Sequence, residues 1–252
     1  MKQAGESLSP ALCFSGLSCQ EMIPLEKLPP RLRALAELVP PGASLADIGT
    51  DHGYLPLALL AEGRITRAVG CDIGAGPLAA AAAHAKAAGL EDRLQLRQCD
   101  GLEAVSPGEV DTVAIAGMGG ETIAGILRRA PWLPAAGCLL LLQPMSKQAL
   151  LRRWLQANGW RITAERPVRE GETFYTVLAA APGEMPPLSP GEAEAGVRRL
   201  LEGQPLLRAY LDGICRRLGS ALEGMARAAR PPEHAGELAA AYQELLEWKM
   251  EV

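Results

Sequence analysis

The chain has 252 residues, of which 48% are hydrophobic and 21% charged, and its formal net charge is −4. This length accommodates one full domain with a modest addition, since single domains commonly run to about 100–200 residues, and the longest apolar runs fall far short of the ~18 residues of a membrane-spanning helix. The acidic balance argues against nucleic-acid binding by the whole surface, but it leaves room for a local basic face.

The N-terminal part contains a tail and a helix. Residues 1–21 show no hydrophobic periodicity, and we expect a flexible extension there. Between residues 25 and 38 leucines recur at helical spacing, which predicts a helix that begins near Pro30 and ends before Pro40.

A short apolar strand, a turn with two glycines and a helix follow in residues 45–60, the pattern that opens a nucleotide-binding α/β domain. A dinucleotide fingerprint that starts at Gly49 needs glycines where the chain has Asp51 and Tyr54, so NAD is disfavoured. Asp51 would repel a pyrophosphate but suits the cationic groups of S-adenosylmethionine. Asp47 is placed to organise the loop at the methionine end. A glycine-rich turn in another doubly wound domain is the alternative.

The next two predicted strands also end in acids. Residues 67–73 form a strand whose Asp72 lies about 20 residues past Gly53, the separation at which an acid reaches ribose hydroxyls; capping of the following helix is the alternative. Residues 94–102 form a third strand and its loop. There the Asp100 carboxylate would accept a hydrogen bond from an adenine amino group, although Asp-Gly is also a common turn sequence.

The fourth predicted strand, residues 111–116, runs into the glycine-rich segment 117–120. This segment lacks the Asn- or Asp-Pro-Pro-aromatic clamp of enzymes that methylate exocyclic amines, and it offers exposed backbone and space to the edge of a flat base. Tight packing is the alternative reason for its glycines. Three more strands, the last antiparallel, would complete a mostly parallel seven-stranded, Rossmann-like α/β sheet; they are predicted at residues 138–142, 161–165 and 172–179.

The C-terminal part follows a proline-rich break at residues 182–190, which we take as a domain junction. Beyond it, apolar residues recur at three- and four-residue spacing, which predicts two antiparallel helices in a coiled-coil hairpin. Residues 198–230 hold seven arginines and three acids, a local charge of 7 − 3 = +4. This arm could bind RNA phosphates, or its charges could pair across the hairpin. The candidate RNA contacts are Arg198, Arg199, Arg208, Arg216 and Arg217.

Domain limits and location follow from these patterns. We divide the chain into the extension 1–21, a cofactor-binding domain 22–182 and a helical domain 183–252. The six cysteines include no C-x-x-C pair and the three histidines are isolated, so we expect no metal, no disulfide scaffold and a reducing, cytoplasmic location. A monomer is our working expectation.

With these residues placed, the chain resembles the bacterial tRNA adenine-N1 methyltransferases of the TrmK type, which act on adenine 22 of the D-loop. The resemblance spans residues 25–180, and the helical tail resembles the family only in architecture. It implies S-adenosylmethionine as the donor and a tRNA adenine as the acceptor. It is carried by Arg31-Leu32, residues 46–56 and 117–120, Gln143-Pro144 and the segment from Glu170 to Tyr175.

The resemblance also implies a set of site residues. The target base would meet Gln143 and Pro144 beside Gly117. Where the family usually continues Gln-Pro-Asn, this chain has Met145, which removes an amide from that contact. The candidate cofactor contacts are Asp47, Gly49, Thr50, Asp51, His52, Gly53, Asp72, Ile73, Asp100, Gly101, Ala116 and Gly117.

Methylation of adenine N1 needs in-line positioning and removal of positive charge afterwards. Asp51 is the first candidate for a base that takes a proton from N6, and capping of the next helix is its alternative role. His52 is a weaker candidate, since a lone histidine is more often structural. Two other functions stay open: a class I methyltransferase for a small molecule or protein, and an RNA-interaction protein that binds the cofactor without turnover.

Overall fold

The computed structural model describes residues 24–227 and 235–252, so the predicted extension 1–21 lies outside the described residues. Its centre is a seven-stranded sheet. The strands are β1 (Ala43–Ile48), β2 (Ile65–Asp72), β3 (Leu94–Gln98), β4 (Thr112–Gly119), β5 (Leu139–Ser146), β6 (Trp160–Glu170) and β7 (Thr173–Pro182). Their order is β3-β2-β1-β4-β5-β7-β6, with parallel pairs from β3 to β5 and antiparallel pairing of β7 with β5 and β6. The predicted fold class is confirmed.

Helices cover both faces of this sheet. In β5, Leu140 and Leu142 pack in one apolar cluster together with Ile123, whereas Leu141 packs in a second cluster that includes Leu35. Strands that are buried on both faces are continuously apolar, as β5 is. The helices are α1 (Pro30–Glu37), α2 (Tyr54–Ala61), α3 (Ala75–Ala87), α4 (Gly120–Arg128), α5 (Gln148–Ala157), α6 (Pro190–Ala195), α7 (Arg198–Leu201), α8 (Leu207–Ala226) and α9 (Ala235–Glu251).

Strand β4 is longer than predicted, because it continues through the glycine-rich segment. Met118 pairs with Pro144 and the register shifts around this pair. Gly117 has a φ of +75°, which a glycine adopts without strain at such a bulge. A Cβ on Gly120 would lie 2.4 Å from the carbonyl oxygen of Lys147, whereas nothing lies within 4 Å of one on Gly117. Tight packing therefore accounts for Gly120, and open space remains at Gly117.

Helices α8 and α9 run antiparallel, as predicted. Near one end of α8, Asp212 forms an ion pair with Lys249 at 2.6 Å; further along, Gly219 lies beside the ring of Tyr242. Apolar side chains fill the space between the two helices, and Leu218, Leu245 and Trp248 are almost completely buried there.

A buried ion pair joins the C-terminal helices to the sheet. Arg152 of α5 donates from Nε to the carboxylate of Glu165 in β6 at 2.7 Å, and both side chains are completely buried. The remaining guanidinium nitrogens donate to the carbonyls of residues 193–195, and Glu165 accepts the N–H of Val197. Helices α6 and α7 are thus held by polar contacts that water does not reach.

Candidate functional site

A cavity of about 250 Å³ opens at the carboxyl ends of β1 and β4. Adjacent parallel strands place their following loops at one edge of a sheet, where α/β proteins bind ligands. Six of the predicted site residues line this cavity: Asp47, Gly49, Thr50, Asp51, Ala116 and Gly117. Four further residues line the cavity and had no predicted role: Arg31, Leu32, Tyr54 and Leu55.

Hydrogen bonds to β2 fix the loop after β1. The N–H groups of Gly49 and Thr50 both donate to the carbonyl of Cys71, at 2.8 and 3.0 Å. Gly49 has a φ of +73°, and a Cβ there would lie 2.4 Å from the side chain of Met118. Glycine adopts this positive φ without strain, whereas the close neighbour is the flexible end of the Met118 side chain, which can move.

Asp51 does not cap helix α2. The N-cap residue is Gly53, and no side chain bonds to the end of this helix. The side chain of Asp51 is 65% exposed, with one carboxylate oxygen 3.5 Å from Nε2 of His52. Its backbone has a φ of 51°, which aspartate tolerates better than most residues. The carboxylate is therefore available to a ligand.

Asp47 is buried, and its carboxylate accepts a 2.7 Å hydrogen bond from the hydroxyl of Thr50. Burial raises the pKa of Asp47 from 3.8 to about 6; the bond from Thr50 opposes this rise and the charge of Asp72 adds to it. Because no cation among the described residues pairs with this buried carboxylate, it favours a ligand that brings a positive charge.

Arg31 supplies positive charge to the same cavity. Its main-chain N–H donates to the Glu170 carboxylate at 2.8 Å, its guanidinium also bonds to that group, and it lies 5.7 Å from the ring centre of Tyr175. Its Nε is buried and has no hydrogen-bond partner among the described residues. Although this guanidinium is paired with Glu170, it lines the same cavity as the buried acid Asp47, so the cavity has a cationic donor and an acid for the two ends of a zwitterionic amino acid.

The predicted adenosine contacts lie beyond this cavity, after β2 and β3. Asp72 accepts the N–H of Asp51 at 3.1 Å and that of Gly74 at 2.8 Å, so it ties two loops together. Ile73 is 73% exposed. Asp100 accepts from Arg129 at 2.8 Å and is 61% exposed, and the next residue, Gly101, has a φ of +63°. These residues form an open edge beside the cavity.

Gln143 is completely buried at the end of β5. Its side-chain oxygen accepts the N–H of Gly117 at 3.0 Å, and its nitrogen donates to the carbonyl of Pro144 at 3.2 Å. Gln143 thereby holds the bulge in β4, while Met145 is 40% exposed at the end of the strand. The catalytic roles of Gln143 and Pro144 stay predictions.

His52 belongs to a stack of three rings, of which Tyr54 lines the cavity and the two histidines do not. Its ring lies 5.4 Å from that of Tyr54, which lies 5.5 Å from that of His84. His84 Nδ1 is 3.0 Å from the carbonyl oxygen of His52. The stack therefore braces the outer side of the loop.

The five predicted RNA-contacting arginines differ in their surroundings. Arg198 pairs with Glu251 and lies over the ring of Trp248. Arg208 donates to the carbonyl of Val252, and Arg217 pairs with Glu194 at 2.8 Å. Within residues 24–227 and 235–252, neither of the remaining two forms an ion pair, and both are exposed: Arg199 and Arg216.

In the described part of the chain, no group of three or more histidine, cysteine, aspartate or glutamate side chains could hold a metal ion. None of the described helices combines the length and the apolar character that crossing a membrane requires. The described cysteines are free, and three of them are buried: Cys71, Cys138 and Cys215.

The sheet order, the antiparallel β7 and the cavity after β1 and β4 define a class I methyltransferase fold. The profile of a family described as a methyltransferase domain matches residues 28–178. The M1A22 tRNA methyltransferase TrmK of Bacillus subtilis is 30% identical in structure-based comparison, with a TM-score of 0.73 and coverage of 89% of this chain and 96% of that chain. This chain belongs to the TrmK family of class I methyltransferases, which confirms the predicted resemblance.

Two further relatives bear on the site. A Streptococcus pneumoniae protein solved in complex with S-adenosyl-L-methionine is 32% identical, with a TM-score of 0.74 and coverage of 86% of this chain and 97% of that chain. The tRNA (adenine(22)-N(1))-methyltransferase of Bacillus subtilis strain 168 is 37% identical over 158 residues, 63% of this chain and 66% of the relative. That alignment spans just under two thirds of the relative's length.

Proposed function

We propose that this protein transfers the methyl group of S-adenosylmethionine to N1 of adenine 22 in the D-loop of tRNA. The carrying observation is that buried Asp47 and Arg31 line one cavity, because the methionine end of the donor has an ammonium and a carboxylate. Membership of the TrmK family supports the choice of acceptor. The protein would act in the cytoplasm as a monomer.

The donor would extend from the cavity onto the open edge. Asp47 would attract the ammonium, Arg31 the carboxylate, and Asp51 would lie near the sulfonium. Asp72 would accept from the ribose hydroxyls, and Asp100 from the adenine amino group. The remaining contacts would come from backbone or ring edges of Gly49, Thr50, His52, Gly53, Ile73, Gly101, Ala116 and Gly117.

The acceptor adenine would enter beside Gly117, where a Cβ would meet nothing within 4 Å. The N1 lone pair attacks the methyl carbon in line with the breaking C–S bond, whose electrons remain on sulfur, and positioning supplies most of the acceleration. Gln143 would act through Gly117, whose N–H it holds. The ring gains a positive charge, and loss of an N6 proton to Asp51 would neutralise it.

A methylation assay tests this proposal. The full-length protein is incubated with labelled S-adenosylmethionine and either of two transcripts of one tRNA, with adenine or guanine at position 22. Mass spectrometry of the digested RNA is expected to show 1-methyladenosine from the first transcript and none from the second. Methylation at N6, methylation of both transcripts, or cofactor binding without any methylated nucleoside would each refute the proposal.

Asp51→Ala is expected to lower kcat about 100-fold, within the usual range for a lost general base, and to weaken donor binding less than tenfold. The two effects are separated by single-turnover methylation and by calorimetry with S-adenosylmethionine. Glu91→Gln is the control, because Glu91 is an exposed carboxylate before β3, at the opposite edge of the sheet. If Asp51→Ala turned over at the rate of the control, Asp51 would not be the general base.

A further inference from the structure

We propose that the cleft between α5, the start of β7 and α8 binds the RNA strand next to the target adenine, with Phe174 stacking on a neighbouring base and Lys147 and Arg216 contacting phosphates. This inference rests on the proposed function, since its ligand is the same tRNA. Lys147 lies outside the segments that carry the family resemblance, and Phe174 lies in one of them but had no predicted role.

Two cavities form this cleft. One, of about 310 Å³, is lined by Phe174, Tyr210 and Arg216 among others, and the second, of about 560 Å³, is lined by Lys147. They share Gln148, Glu194 and Arg217. The cavities are therefore neighbours along one groove, which is long enough for more than a single side chain.

The cleft lies at the same edge of the sheet as the donor cavity. Because β5 and β7 are antiparallel, with Leu142 opposite Leu178, the end of β5 and the start of β7 meet at this edge. Tyr175 lies against Arg31 of the donor cavity, and successive side chains of a strand point to opposite faces. Phe174, the residue before Tyr175, therefore lies on the opposite face of β7, which turns away from the donor cavity.

Phe174 is fixed but only half-buried. Tyr210 meets its ring edge-on at 6.0 Å, and the Tyr210 hydroxyl is itself held by the carbonyl of Ala195 and by Thr176. Helix α8 passes the ring at Gly213, where even an added Cβ would stay 3.7 Å away. The guanidinium of Arg169, an exposed side chain, lies 6.0 Å from the centre of this ring. A ring held in a groove beside an arginine suits stacking of a nucleobase.

The groove has an excess of unpaired positive charge. Each acid that lines it is matched by an arginine: Glu172 by Arg169, Glu194 by Arg217 and Glu237 by Arg153. Asp212, one turn before Arg216, is paired with Lys249. Lys147 and Arg216 are exposed and form no ion pair with any residue in the described ranges. Cations that flank an aromatic ring are the combination by which proteins bind single-stranded nucleic acid.

Binding of full-length tRNA to full-length variants tests the proposal, independently of turnover. Phe174→Leu is expected to weaken tRNA binding about tenfold, with little change in its salt dependence. The double variant Lys147→Ala/Arg216→Ala is expected to weaken it further and to lower the slope of log affinity against log salt by about 2. Affinity for S-adenosylmethionine should stay that of wild type in both variants.

Arg161→Ala is the matched control, because Arg161 is an exposed cation at the start of β6, at the end of the sheet away from the cleft. An abasic site next to adenine 22 should weaken wild-type binding and add no further loss to Phe174→Leu. Wild-type affinity and salt slope in both cleft variants would overturn this inference, even with tRNA methylation intact. Failure of the wild type to methylate tRNA would instead overturn the proposed function.

Discussion

Asp47→Asn is expected to weaken S-adenosylmethionine binding about 100-fold, because removal of one member of a buried charge pair costs about 2–5 kcal/mol. The same substitution is expected to raise the melting temperature of the ligand-free protein. Asparagine retains an oxygen that can accept the hydroxyl of Thr50, which now bonds Asp47 at 2.7 Å. Calorimetry with the donor and thermal unfolding without it measure the two effects.

Weaker donor binding and a higher melting temperature both follow from the pKa of Asp47, which burial raises from 3.8 to about 6. Between those pH values the carboxyl group of Asp47 is ionised in the unfolded chain and protonated in the folded one. The free energy of unfolding therefore falls as the pH rises from about 4 to about 6. Above pH 6 the buried charge costs the folded state on the order of 3 kcal/mol. Asparagine removes that cost.

Donor binding by the wild type should show the reverse trend. A cationic ligand prefers the ionised carboxyl group, so affinity should fall up to about tenfold per pH unit below pH 6, and Asp47→Asn should abolish this dependence. Asp92→Asn, at an exposed position before β3, is the control. Wild-type donor affinity in the asparagine variant would mean that the ammonium binds elsewhere.

Much of the fold was visible in the sequence because local signals and tertiary contacts agree there. Strand β5 is a continuous apolar run because helices cover both faces of the sheet. The extension of β4 through residues 117–119 was not predicted. Glycines normally interrupt strands, but here Met118 pairs with Pro144 and Gly119 with Ser146 across register shifts, which keeps this segment in the sheet.

The donor site was only partly predictable. Asp47, Asp72 and Asp100 were identifiable because each follows or ends a strand, so position along the chain implies position in the sheet. Arg31 carries no such signal, since its partner Glu170 is 139 residues away. The resemblance had included both residues, but only the structure shows that they meet at the cavity.

The basic arm shows why a charge count does not locate an RNA surface. Residues 198–230 carry a local charge of +4. In the structure Arg198 and Arg217 are paired with glutamates from other helices. Lys147, outside that segment, forms no ion pair with a described residue. Which cations remain available to a phosphate depends on tertiary neighbours that no local pattern reveals.

Arg152→Met is expected to destabilise the protein by about 3–5 kcal/mol, the usual cost of removing one partner from a buried ion pair. For a chain of this size that lowers the melting temperature by roughly 10 °C. Burial opposes the charge of Arg152, yet Glu165 and Tyr210 hold its pKa above the usual range. Without the guanidinium, Glu165 stays buried with Val197 as its remaining hydrogen-bond donor. The carbonyls of Ala193 and Glu194 lose the donor that Arg152 supplied, whereas the carbonyl of Ala195 keeps the Tyr210 hydroxyl.

The neighbouring Arg153→Met is the matched control, since Arg153 forms an exposed pair with Glu237, and such pairs contribute about 0–1 kcal/mol. Arg152→Met/Glu165→Leu should recover part of the loss, because it removes the unpaired buried charge. Recovery should be incomplete, since the carbonyls of Ala193 and Glu194 still lack the donor that Arg152 supplied. Equal melting temperatures for the two single variants would mean that water or a rearranged side chain replaces Arg152, and that α6 and α7 are held to the sheet by apolar packing.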